Sequence, residues 1–187
     1  MMAFWRPKAE DWVIVEGVDD SANAFYMGQY FSNDAETDIT NVIDIATKKL
    51  AYQVAPPEGT NPLLKGCTIM VMVESGGKIL RLFQHYETGQ YHFDIYCLYF
   101  GDGEGKPCWV KITDIGDQML CLDYNRGLSF CVSNFAGFKE NCIYFLNYER
   151  RLCRYDIGDG TTEVLPCPFD FRGTWFMPSL VKLSDIK

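Results

Sequence analysis

At 187 residues, with 48% hydrophobic and 15% aromatic side chains, the chain has the apolar mass for one substantial core and is not a disordered segment. Its formal charge of −8, from 25 acidic and 17 basic residues, repels phosphate backbones and anionic lipid, so neither nucleic acid nor a membrane is an expected partner. The opening, Met1 to Glu10, is interrupted by Trp5-Arg6-Pro7-Lys8 and makes no secretory signal. No stretch approaches the roughly 20 apolar residues that span a bilayer, and no Asn-x-Ser/Thr acceptor occurs. The expectation is an intracellular chain, cytoplasmic or nuclear.

The predicted elements are short strands. In chain order they are Trp12 to Val15, Ala24 to Phe31, Asn41 to Ile45, Thr68 to Val73, Ile79 to Gln84, His92 to Phe100 and Trp109 to Ile112. Gln118 to Leu122, Leu128 to Ser133, Cys142 to Leu146, Leu152 to Ile157 and Thr162 to Leu165 follow. Leu128 to Ser133 alternates with the period of two that marks a half-buried strand. Ile69 to Val73 and His92 to Phe100 are apolar on both faces, which fits strands sandwiched inside a larger assembly. Gly76-Gly77, Asp102-Gly103, Arg126-Gly127 and Asp159-Gly160 supply hairpin turns. Val42 to Gln53 has some helical spacing, but Asn41-Val42-Ile43-Asp44-Ile45 alternates, so strand–turn–strand is expected there.

The cysteines are Cys67, Cys97, Cys108, Cys121, Cys131, Cys142, Cys153 and Cys167. No pair has Cys-x-x-Cys spacing, and most sit inside apolar runs. They read as small buried hydrophobes in a reducing compartment. Only His85 and His92 could join them around zinc, and the spacing does not fit such a site, so no metal and no cofactor is expected.

A repeat runs through these strands. Ile45, Leu98 and Ile157 each close a strand before a turn and a second strand, and they stand 53 and 59 residues apart. That approximates the roughly 50-residue period of kelch-type propeller blades. The expected fold is therefore all-β: a partial β-propeller of about three four-stranded antiparallel blades, approximately 11–57, 66–112 and 117–166, with a closing strand at about 174–181. Three units do not close a ring of four to eight blades. Such a chain would be half of a larger propeller, or would complete itself with another copy.

From Thr68 onward, Val73-Glu74-Ser75-Gly76-Gly77-Lys78-Ile79-Leu80, Trp109-Val110-Lys111-Ile112, Ile115-Gly116-Asp117-Gln118-Met119-Leu120, Asn141-Cys142-Ile143-Tyr144-Phe145 and Trp175-Phe176-Met177-Pro178-Ser179-Leu180 occur in order. Together they resemble the plant F-box-associated β-propellers of the KIB type, formerly a plant domain of unknown function. Trp5-Arg6-Pro7 and Asp11-Trp12 are more loosely similar to that family's blade entry. The resemblance implies a propeller that selects a protein substrate for a ubiquitin ligase. It also implies an F-box docking onto a Skp1-type adaptor, yet Met1 runs straight into β-like sequence. Recruitment of that adaptor is not expected of this chain.

The candidate chemical motifs read as structure. Asp156-x-x-Asp159-Gly160-x-x-Glu163 lacks the spacing of a calcium loop, and Gly101-Asp102-Gly103-Glu104-Gly105-Lys106 lacks the Gly-Lys-Ser/Thr of a phosphate loop. His85 and His92, near Glu87, are the only imidazoles for base catalysis and are expected as surface polar residues. Cys153, flanked by Arg151 and Arg154, is the nearest approach to an activated thiol, and alternation keeps those arginines off its face. Lys48-Lys49 and Arg150-Arg151 with Arg154 read as solvated positions. Trp109 and Trp175 are expected to wedge between blades, and Trp5 or Trp12 is the candidate exposed anchor.

No catalytic, cofactor-binding or metal residue is assigned, and the substrate-binding residues are unknown. The expected function is a non-enzymatic protein-recognition module. Its rivals are a self-associating or regulatory paralogue with no ligase role and, more remotely, a kelch-propeller enzyme.

Overall fold

The computed structural model describes residues 2–5, 12–15, 23–34, 36–59, 67–101, 105–123 and 126–166, with the backbone alone at 2–5, 12–15 and 67–68. Within these residues the chain is all-β, a partial propeller with no closed barrel. A two-stranded antiparallel ribbon, β1 (Met2–Trp5) with β2 (Trp12–Val15), comes first. The first sheet is a meander of β3 (Asn23–Tyr26), β4 (Gln29–Asn33), β5 (Thr40–Asp44) and β6 (Lys49–Val54). The second runs from β7 (Cys67–Ser75) through β8 (Lys78–Glu87) and β9 (Gln90–Tyr99) to β10 (Cys108–Ile112). Each joins neighbours in sequence, as short connections favour.

The third sheet departs from the expected four-stranded antiparallel meander. It holds β11 (Gln118–Leu122), β12 (Gly127–Cys131), β13 (Cys142–Leu146), β14 (Leu152–Asp156) and β15 (Thr162–Val164), in the order β12-β11-β13-β14-β15. β12 folds back on the inner side of β11, and β13 then pairs with β11 in parallel. Parallel neighbours need a connection that returns the chain to its starting end. Here β12, a 3-10 turn at Val132–Asn134 and a loop with Gly137 at φ 91° provide it.

The first sheet also corrects the single run expected from Ala24 to Phe31. Met27 and Gly28 both adopt positive φ (48° and 76°) and turn the chain tightly between β3 and β4. Such turns match the twist of the flanking strands. Val42 to Gln53 is strand–turn–strand, as the alternation predicted. The closing strand expected at 174–181, together with Trp175 and the turn Asp102-Gly103, lies outside the described residues.

Packing follows from two-faced strands. On β7, Val71 and Val73 face the third sheet, where Leu120, Leu122, Ile143 and Phe145 meet them. The alternate residue Met72 faces the first sheet, beside Phe31, Val42 and Val54. Trp109 fills this second interface, 8% exposed, which is the wedge position expected of it. The inner strand β7 lies between β3 and β12. Where β12 meets β7, Gly127 leaves no room for a side chain: a Cβ there would sit 3.0 Å from Val73 Cβ and 3.1 Å from Val71 Cγ1. Gly127→Ala is expected to cost about 1–2 kcal/mol by overpacking this seam. A urea midpoint unchanged from wild type would contradict the close approach.

Candidate functional site

Two paired strands of ten residues each, β8 and β9, are joined by the two-residue turn Thr88-Gly89, both at positive φ (51° and 83°). The register sets Tyr86 opposite Tyr91, His85 opposite His92 and Glu87 opposite Gln90. Since successive side chains point to opposite faces, the tyrosines and the histidines occupy the two sides of one ribbon.

The tyrosine side faces the third sheet across a cleft of about 490 Å³, whose walls include Tyr86, Tyr91, Asn147, Tyr148, Arg151 and Thr162. Its far wall is the β13–β14 turn, held by the Asn147 side chain, which accepts from the Arg151 N–H at 2.8 Å. The Tyr148 N–H donates to the Tyr91 hydroxyl at 3.2 Å, and the Thr162 hydroxyl donates to the Tyr91 carbonyl at 3.3 Å. Tyr91 is thereby tied to both elements of the opposite wall. Burial pushes its phenol above the ordinary value, opposed in part by the Tyr148 N–H.

Below Tyr91 lies Phe145, at 5.0 Å between ring centroids. Above it, Tyr86 packs at 4.6 Å and Tyr148 at 5.9 Å. The upper two rings stay open to solvent, Tyr86 at 42% and Tyr148 at 64%. Aromatic rings fixed at one end and wet at the other supply large contact area with little ordering cost. Glu149 and Arg151 form an ion pair beside them. No histidine lines this cleft among the described residues.

The motifs weighed in the sequence fall elsewhere. Cys153 lines the cleft floor but is 1% exposed, and burial raises its thiol despite the pull of Arg151, so no thiolate is poised there. Buried Cys121 is pushed up to about 12 by desolvation. Cys121, Cys142 and Cys153 are buried as expected, Cys97 and Cys131 are half-buried, Cys108 is exposed, and all six are unbridged. Asp156, Asp159 and Glu163 do not converge: Asp156 binds Lys139, Asp159 caps Thr161, and Glu163 pairs with Arg154. That is a hairpin turn, not a calcium loop. Gly101 and Gly105 approach so closely that a Cβ on the first would sit 2.9 Å from the second's Cα. The side chains of Trp5 and Trp12, the anchors expected from sequence, lie outside the described residues.

On the other side of the ribbon the structure brings together His85, Glu87 and His92. His85 is buried at 4% exposure, which corrects its reading as a surface residue. Its Nε2 lies 3.2 Å from Asp94 Oδ2, and Lys111 Nζ donates to Asp94 Oδ1 at 2.5 Å. Burial works to raise the Asp94 carboxyl, but the bond and charge of Lys111, with His85 and His92, hold it below the usual carboxylate value.

A family model described as the KIB1-4 beta-propeller matches residues 1–166. No curated protein and no solved structure matches the chain.

Proposed function

Because the chain belongs to the KIB1-4 beta-propeller family, we propose that it is a non-enzymatic protein-recognition module whose docking site is the tyrosine cleft between the second and third sheets. The observation that carries this reading is the pair of exposed rings, Tyr86 and Tyr148, held by buried Tyr91 on two different sheets. Rigid scaffolds that present turn residues suit recognition. The occupant is a basic, extended segment of a protein partner. Tyrosine faces attract guanidinium and ammonium groups, and the formal charge of −8 draws such a segment in. The likeness to F-box-associated propellers adds that this partner is a ubiquitination substrate.

The test is affinity capture from plant cell extract with wild type and with the Tyr86→Ala/Tyr148→Ala pair. A partner recovered at least tenfold less on the double variant is expected, because central aromatic anchors carry about 2 kcal/mol each. The double variant also loses ring packing on Tyr91, so the melting temperature should fall by about 5 °C with the far-UV circular dichroism unchanged. Equal recovery by the two proteins would overturn the cleft as the docking site. Light scattering addresses the rival of obligate self-association, which a clean monomer removes.

A further inference from the structure

We infer that His85, His92 and Glu87 form a binding site for a divalent transition metal, Zn²⁺ foremost, on the side of the β8–β9 ribbon facing away from the tyrosine cleft. One ligand atom from each lies within 4.8 Å of the others. The arrangement follows from the strand register. His85 and His92 are a directly opposed pair, and Glu87 stands two residues along β8, on the same face. Two imidazoles and a carboxylate are a zinc-ligand set that leaves a fourth position for water.

Closure on an ion calls for side-chain rotation. Tetrahedral zinc with bonds of about 2.0–2.1 Å places its ligand atoms about 3.4 Å apart. The two imidazoles stack at 4.8 Å with 9° between their planes, so the His92 ring must turn for its nitrogen to share an ion with His85. Glu87 is exposed and His92 half-buried, so both have room to move, while buried His85 is the fixed member.

The surroundings match what a metal site needs. Asp94 Oδ2 lies 3.2 Å from His85 Nε2, an electrostatic contact that adds negative charge beside the imidazole pair. Among the neighbouring acids and lysines, Glu87 and Asp94 stand against the single Lys111. Lys111 is 57% exposed on its side chain and can swing to solvent as a cation arrives. No cysteine belongs to the group, which distinguishes it from the thiolate sites that a chain with eight cysteines invites. The site does not depend on what occupies the cleft.

Titration of the full chain with Co²⁺, followed by its visible spectrum, tests the assignment. The expected result is one equivalent bound with d–d bands of a nitrogen–oxygen site and no thiolate-to-cobalt charge-transfer band, and competition by Zn²⁺. His92→Ala should weaken binding more than tenfold, and Asp94→Asn severalfold, through the loss of a neighbouring negative charge. Glu87→Gln changes an exposed side chain without altering its size, so it should keep the fold and also weaken binding. Absence of binding, a thiolate band, or an isotherm unchanged in both His92→Ala and Glu87→Gln would overturn the site.

Discussion

Phe145→Ala is expected to lower the unfolding free energy by about 3–5 kcal/mol, the range for removing a buried aromatic ring. Phe145 is 2% exposed on β13 and meets Tyr91 and Phe93 of β9 edge-on, at 5.0 and 5.2 Å. Its ring therefore joins the second and third sheets, rather than bonding within one. The void left behind would open directly beneath Tyr91. For a chain of this size the loss corresponds to a fall in melting temperature of about 10 °C. Phe145→Leu keeps most of the volume and should cost less than half as much. Urea unfolding followed by fluorescence and circular dichroism measures both. A loss below about 1.5 kcal/mol for the alanine variant would mean that the two sheets do not share this core.

The second large effect concerns charge. Arg81 is 0% exposed, stacked 4.8 Å from the Phe83 ring centroid and 5.8 Å from that of Trp109. It reaches from the second sheet to Asp38 in the β4–β5 turn of the first, pairing with its carboxylate and donating to its carbonyl at 3.3 Å. Asp38 sits at φ 60°, which asparagine tolerates well, so Asp38→Asn removes charge without adding strain. That variant is expected to cost about 2–3 kcal/mol, because a buried guanidinium loses its counter-charge. Arg81→Met should cost less, about 1 kcal/mol, since the Asp38 side chain left behind is partly exposed and its carboxylate keeps the Asn33 amide as a donor at 3.0 Å. The order of the two variants is the test. A methionine variant less stable than the asparagine one would show that Arg81 works mainly through packing and its ring contacts.

Strands were legible in this sequence where one-residue alternation reports two distinct environments. Ile69 to Val73 and His92 to Phe100 showed two apolar faces because each lies between two neighbouring sheets. Two turns were missed, Met27-Gly28 and Thr88-Gly89, because their first residues are not usual bearers of positive φ. The hairpin that carries both candidate sites was expected with shorter strands, Ile79 to Gln84 and His92 to Phe100, and with no turn assigned between them. Lateral order was not legible either. Nothing local in Leu128 to Cys131 says that β12 lies inside β11, since that placement is decided by the fit of Gly127 against Val71 and Val73. Tyr86 and Tyr148 went unnoticed for a similar reason. An anchor tyrosine and a buried one look alike in a β pattern, and these two meet across a long stretch of chain. The histidine pair drew notice only as a scarce residue type, since its cross-strand register depends on the Thr88-Gly89 turn.

The inverted edge of the third sheet has a consequence for how the chain is made. Ribosomes add roughly 5–20 residues per second and release the N-terminal part first. The β11–β12 hairpin ends at Cys131 and leaves the ribosome ahead of β13. It can seat Gly127 against β7 straight away, leaving the opposite side of β11 unpaired. β13 then arrives roughly one second later and docks in parallel on that waiting side. In a plain meander the newest strand always extends the outer margin. Here vectorial synthesis presents the inner seam first and the outward strands only afterwards.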